Sequence, residues 1–495
     1  MSEIDPAELA RAFTRLSKWA HDQAEAEPER EPVIRVRLRE HLGAEPAELP
    51  VVSTPLRGYE RVNFQVALDA WLEADGHDGE LVGLSAMQGF RVGLAELAQP
   101  ARGQFGPPLP EPGAPEWEPV EVGERRISCV RAGLWLLAGS GEPFVLMLAR
   151  EDDGPGDAEL GIEVMAGERE RAEAFIAELR ELMDRHNVYR GRVLELSESQ
   201  WGGAGLRVRR LPRVEHERIV LGGGILERIE RHTELFTTHA EELRQAGRHL
   251  RRGLLLHGPP GTGKTLTAMY LATLMPERTT FLLTGHGFGA IGLACEIART
   301  LTPAMIVLED VDLVAMDRDA FEDTNALLFE LLNEMDGLNE DADVVFVLTT
   351  NRPQVLERAL AARPGRIDLA VRMPLPDAEA RGRLLDLYAE GLEVGAADRA
   401  RIVETTDGAT PAFIRELLRR AALLAAEAGN ARRIGAELLD RALAELHESG
   451  DELTGRLLGA PGAADFAESA VVIDVFDEDE DDFEDDEDLG DDELD

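Results

Sequence analysis

Gly258-Pro-Pro-Gly-Thr-Gly-Lys-Thr265 is the stretch whose reading decides the fold. It follows an apolar run, Gly253-Leu-Leu-Leu-His257, that reads as a short buried strand, and it leads into a segment with helical periodicity. A strand, a glycine-rich turn and a helix in that order form a phosphate-binding loop. Glycines let backbone N–H groups turn inward around an anion, and the helix that follows adds its positive N-terminal end. Lys264 supplies a point charge for β- and γ-phosphates, and the Thr265 hydroxyl is placed to ligate Mg²⁺. The expected nucleotide-binding set is Gly258, Pro259, Pro260, Gly261, Thr262, Gly263, Lys264, Thr265 and Leu266, with ATP and Mg²⁺ as cofactors.

Downstream of the loop, apolar runs at 280–283, 304–308 and 344–349 alternate with helical segments. That alternation indicates a parallel α/β sheet, here a P-loop NTPase core over residues 215–376. The run Met305-Ile-Val-Leu ends in Glu309-Asp310-Val-Asp312, so carboxylates emerge at the C-terminal edge of a central strand, where open α/β sheets bind ligands. One acid, Glu309, is expected to hold Mg²⁺ together with Thr265; the next, Asp310, is expected to orient or deprotonate the attacking water.

These motifs, with Leu331-Leu-Asn-Glu-Met-Asp-Gly337, Thr349-Thr-Asn-Arg-Pro353 and Ala362-Arg-Pro-Gly-Arg-Ile-Asp368, resemble the AAA ATPase family. The resemblance covers about residues 220–455. It implies an ATPase core with a small all-helical lid over 377–455, assembled as a hexameric ring that hydrolyses ATP to remodel a protein partner. A slow nucleotide-gated assembly switch is the other reading. By the same resemblance Asn351 is the polar sensor of the γ-phosphate or the lytic water. Arg363 and Arg366 match the arginine-finger pair donated to a neighbouring subunit, and Arg415 in the lid is a weaker phosphate contact.

The chain departs from the family in three places. Glu309-Asp310 inverts the usual acid pair, which predicts slow turnover. The segment 284–303, which carries an aromatic pore loop in other members, is short; Phe288 in Gly287-Phe-Gly289 is either a reduced gripping residue or a core phenylalanine. One extra residue separates Asn351 from Arg363, so either arginine of the pair could act as the finger.

Outside the core the sequence names no chemistry. Residues 1–50 read as a helix over 6–26 and acidic linker, and residues 51–200 as an α+β domain that recruits a partner or substrate. In that domain 62–72 and 168–187 read as helices, 131–138 and 144–149 as a hairpin, and 99–119 as a loop. Arg207-Val-Arg-Arg-Leu-Pro-Arg213 reads as linker charge or a binding element. Residues 456–495 read as a disordered acidic tail, since 16 of the last 22 residues are Asp or Glu. With 96 acidic against 52 basic residues and a net charge of −44, the chain repels polyanions, which argues against nucleic acid or an anionic membrane as partner. Two distant cysteines form no disulfide framework or metal knuckle, and His447-Glu448 lacks the second histidine of a metalloprotease helix. An acidic N-terminus without a signal-peptide pattern, and no long apolar run, place the expected protein in the cytoplasm.

Overall fold

The computed structural model describes Arg15 and residues 31–84, 92–100, 110–139, 141–152, 158–198, 204–312, 331–335, 342–354, 356, 366–429 and 432–448. The expected helix over 6–26 (Arg15 apart), Arg363 and the acidic tail lie outside the described residues. The chain falls into two compact units. One holds Met1–His216, Ile229–Leu256 and Thr265–Val371; the other holds Glu217–Arg228, His257–Lys264 and Arg372–Asp495.

Among its described residues the first unit contains two large sheets and a two-stranded hairpin. In chain order its N-terminal part runs α1 (Val33–Leu42), β1 (Val51–Leu56), α2 (Arg61–Leu72), β2 (His77–Leu84), α3 (Leu94–Leu97), β3 (Pro112–Gly113), β4 (Trp117–Val122), β5 (Arg125–Val130), β6 (Gly133–Gly139), β7 (Glu142–Asp152), β8 (Ala158–Ala166) and α4 (Arg169–Arg185). Six of the strands form an antiparallel sheet in the order β1-β8-β7-β6-β2-β3. Period-2 alternation on β6 explains why helices cover both faces. Trp135 and Leu137 point into a core with Phe64, Leu68 and Trp71 of α2 and Phe175 of α4. Leu134 and Leu136 point the other way, into a core with Ile34 and Leu38 of α1 and Leu94 of α3. The β4–β5 hairpin is separate, and β4 occupies part of the stretch expected to be loop.

The second sheet is the nucleotide-binding core. Its strands are β9 (Val193–Glu198), β10 (Ala204–Arg209), β11 (Arg252–His257), β12 (Thr279–Thr284), β13 (Ala304–Glu309), β14 (Val344–Thr350) and β15 (Leu369–Arg372). Between them lie α5 (Ile225–Thr238), α6 (Ala240–Gln245), α7 (Lys264–Leu274) and α8 (Ile291–Thr300). The strand order is β10-β9-β12-β13-β14-β11-β15, with β9, β12, β13 and β14 parallel. Strand β11, which delivers the glycine loop, is thus flanked by β14 and β15, the reversal of strand order at which α/β sheets bind ligands. Arg207–Arg209 are not linker: they are the end of β10, paired antiparallel to β9 as an extension of this sheet.

A single core joins the two parts of this unit. Val62, Val122, Cys129 and Tyr189 pack with Phe281, Phe288, Ile291, Cys295, Ile297 and Leu301. Both cysteines are free thiols within it, and burial pushes the Cys129 thiol up to about 11.

In the second unit α9 (Ala378–Tyr388), α10 (Ala396–Thr405), α11 (Pro411–Glu427) and α12 (Ala436–Glu448) form the lid. They share a core of Leu385, Ile402, Phe413, Leu417, Leu424 and Leu446. Asp377 caps α9 by accepting from the Ala380 N–H at 2.8 Å, and Thr410 caps α11 by accepting from the Phe413 N–H at 3.2 Å. The all-helical expectation fails in one detail: β16 (Glu393–Val394) and β17 (Arg433–Ile434) pair in parallel as a two-stranded clip. No helix among the described residues is long and apolar enough to cross a membrane.

Candidate nucleotide site

The glycine loop is built from its backbone outward. Gly258 has φ +151°, and a Cβ there would collide with the Met373 carbonyl, so only glycine lets the chain leave β11 at that point. Gly261 has φ +78°, and a Cβ there would press on the Thr410 Oγ1 at 3.1 Å and the Ala412 methyl at 3.0 Å. The loop therefore lies against the capped N-terminus of α11. Lys264 is buried, and its Nζ donates to the carbonyls of Gly258 at 2.9 Å and Pro259 at 2.8 Å. The Thr262 hydroxyl donates to the Pro259 carbonyl at 2.9 Å, which closes the turn. Thr265 lies one residue into α7, and Leu266 is an exposed apolar side chain at 39%.

Beside the loop, and within the same unit, a cavity of about 320 Å³ is lined by Leu221, Gly222, Ile225, Thr262, Pro376 and Pro411 among others. Its apolar walls and size suit a planar base. Of these residues sequence reading named Thr262 alone and missed the others, although the glycine run Gly222-Gly-Gly224 was visible.

The acidic cluster sits in the first unit, at the C-terminal ends of β13 and β14. Glu309 is the last residue of β13; its Oε1 is buried without a hydrogen-bond partner among the described residues. Burial first, and the neighbouring Asp310 charge second, push its carboxyl above the ordinary carboxylate value. Asp310 has φ +53°, the left-handed region that a non-glycine residue occupies at a cost of about 1–3 kcal/mol. Two bonds hold it there: its N–H donates to the Thr349 Oγ1 at 2.9 Å, and the Asn351 Nδ2 donates to its Oδ1 at 3.1 Å. Asn351, the expected sensor, is thus brought directly to the expected base. Asp312 is buried behind them and accepts from the Thr350 hydroxyl at 2.8 Å and the Asn351 N–H at 3.1 Å.

Two expectations change. Arg366 is 7% exposed, with its backbone against Gly253, a placement that favours Arg363 over Arg366 as the finger of the pair. Phe288 is 4% exposed within the shared core, the placement expected of a core phenylalanine. Arg415 is exposed on α11.

Two observations fit this chain to a magnesium nucleotide. The loop residues Gly258, Gly261 and Gly263 hold φ values of +151°, +78° and +94°, which let backbone N–H groups turn towards an anion, and the buried Glu309 Oε1 has no hydrogen-bond partner among the described residues, the place a hard cation would fill. Glycine cradle, buried lysine, and acids ending the second strand from β11 define a P-loop NTPase.

Residues 254–375 match the sequence model of the ATPase family associated with various cellular activities (AAA), and the chain carries an AAA ATPase domain, whose ligands are ATP and Mg²⁺. The chain is 30% identical over 247 residues to the proteasome-activating nucleotidase of Thermococcus kodakarensis, covering 46% of this chain and 61% of that protein. It is 32% identical over 257 residues to the ATP-dependent zinc metalloprotease FtsH 1 of Symbiobacterium thermophilum, covering 45% and 43%. To the ATP-dependent zinc metalloprotease FtsH of Cutibacterium acnes it is 33% identical over 222 residues, covering 42% and 31%. The chain thus spans less than two thirds of the length of these relatives.

Proposed function

We propose that the protein hydrolyses Mg·ATP as a homo-oligomeric ring, hexameric by the family resemblance, and uses the cycle to remodel a protein partner. The observation that carries the reading is the glycine loop closed around the buried Lys264. Bound Mg·ATP supplies the phosphoryl group to be transferred and the metal charge that polarises it. Lys264 would exchange its two loop carbonyls for phosphate oxygens, and Thr265 and Glu309 would hold the cation. Asp310 accepts a proton from water at its carboxylate while the Asn351 amide keeps that carboxylate turned. Arg363 is the finger offered to the neighbouring subunit. A net charge of −44 supports a protein client over nucleic acid.

A second reading has one observation in its favour. With Phe288 buried, the short segment before α8 lacks an exposed aromatic at that position, which supports a nucleotide-gated assembly switch over a threading motor. Steady-state phosphate release separates the two. Lys264→Ala is expected to lose ATP binding, whereas Asp310→Asn keeps binding and stops hydrolysis. Equal slow rates for wild type and Asp310→Asn would remove the motor reading, and absence of any ATP-dependent thermal shift would remove both.

A further inference from the structure

Asp312 is a buried carboxylate that the hydrolytic scheme does not use. Only 3% of it is exposed, and it sits two residues beyond Asp310. A charge taken out of water is tolerated only where hydrogen bonds replace its hydration. Here both visible bonds converge on one atom: Oδ1 accepts from the Thr350 hydroxyl at 2.8 Å and from the Asn351 N–H at 3.1 Å. The same Thr350 oxygen accepts from the Arg352 N–H at 3.0 Å, so the chain leaving β14 is fixed over consecutive residues.

What is fixed is the residue that reaches the base. Asn351 donates through Nδ2 to the Asp310 Oδ1, and the left-handed backbone of Asp310 leaves that carboxylate dependent on neighbours for its direction. The Asp310 N–H donates to Thr349, and the Val311 N–H donates to the Thr349 carbonyl at 3.0 Å. Five hydrogen bonds therefore lace the end of β13 to the end of β14, two of them ending on Asp312.

We propose that Asp312 is a positioning residue for hydrolysis, holding the Asn351 backbone through Oδ1 so that the Asn351 amide aims the Asp310 carboxylate at water. The proposal rests on the hydrolytic reading above. It is specific about the atom, since an amide oxygen at the same place can accept both bonds.

The test compares Asp312→Ala, Asp312→Asn and Thr350→Val in the full chain, by phosphate release across ATP concentrations. Asp312→Ala is expected to lower kcat about ten- to a hundredfold with KM within about twofold, because a displacement of about 1 Å near the reacting atoms is worth up to about 10²-fold. Asp312→Asn should restore kcat to within about threefold of wild type. A merely structural role would instead lower kcat and ATP affinity together, and a role in charge alone would leave Asp312→Asn as slow as Asp312→Ala; either result overturns the proposal. If Asp312→Ala does not fold, Thr350→Val decides: reduced kcat at unchanged KM supports the proposal, and unchanged kcat overturns it. A wild-type chain that binds ATP without turning it over would sink the hydrolytic reading by itself. Hydrogen exchange at the Asn351 amide then carries the test: slow in wild type and Asp312→Asn but fast in Asp312→Ala supports the clamp, equal rates in all three overturn it.

Discussion

At the scale of single residues, the environment set by distant chain decides chemistry that residue type leaves open. His232 lies on α5, and burial first, with the Arg252 charge also opposing, lowers its pKa below the ordinary 6.5, while Asp368 pulls the other way. The sign follows from linkage. Between the lowered folded value and about 6.5 the unfolded chain binds more protons, so stability rises with pH across that window. Its contribution is complete above about pH 6.5 and is lost as pH falls towards the folded value. Melting temperatures of wild type and His232→Gln from pH 7.5 to 5 are expected to converge on acidification, because the variant lacks this titration; parallel curves would contradict the assignment. Sequence could identify Glu309, Asp310 and Asn351 as candidates from the strand-end pattern and the family resemblance. It could not show that Asp310 is left-handed or that Asp312 holds Asn351, because both depend on pairing between segments about 40 residues apart.

At the scale of elements, continuous apolar runs made β11, β12, β13 and β14 legible, since a parallel strand covered on both faces has no polar side. The β9–β10 pair escaped that test. Leu194 and Leu196 alternate with Glu195, and Leu206 and Val208 alternate with Arg207 and Arg209, so one face looks like solvated linker. Its partner β12 comes later in the chain than either strand, and no local signal announces the pairing. The strand starts, by contrast, are held by charge. Arg252 and Arg278 are both almost fully buried and share Asp343: Arg278 donates to its carboxylate at 2.9 Å and Arg252 at 3.3 Å. Arg278 also donates to the Ala304 carbonyl at 3.3 Å, and Arg252 to the Thr233 carbonyl at 3.1 Å. Burial, then the Arg278 charge, lowers the Arg252 pKa to about 10. Removing the one shared anion leaves two like charges enclosed, so Asp343→Ala is expected to destabilise the sheet by about 3–5 kcal/mol. Denaturant unfolding followed at the ATPase core measures this; a loss under about 1 kcal/mol would mean that water or another acid already neutralises the pair.

At the scale of the molecule, the N-terminal part and the ATPase sheet do not pack as independent bodies. They share one hydrophobic core, in which α8 is packed from the N-terminal side by Val62, Cys129 and Tyr189. Polar contacts join the same surfaces: Arg57 pairs with Glu296 on α8, and Arg190 donates to the Thr300 carbonyl at 3.4 Å. Strands β9 and β10 belong to the ATPase sheet although they precede residue 215, where the core was expected to begin. A fragment starting at residue 215 would therefore lose two strands of its sheet and bare the side chains now covering α8. Apolar area exposed in this way costs about 25 cal/mol per Å², and a contiguous bared face invites association. The fragment 215–455 is expected to bind a hydrophobic dye and to melt without a cooperative near-ultraviolet transition. Arg57→Ala in the full chain should disturb only the rim, lowering stability by about 1 kcal/mol or less. If the fragment instead melts as sharply as the full chain and stays monodisperse, the shared core is dispensable. The N-terminal part would then be an appended module, whose own partner could be sought with the isolated piece.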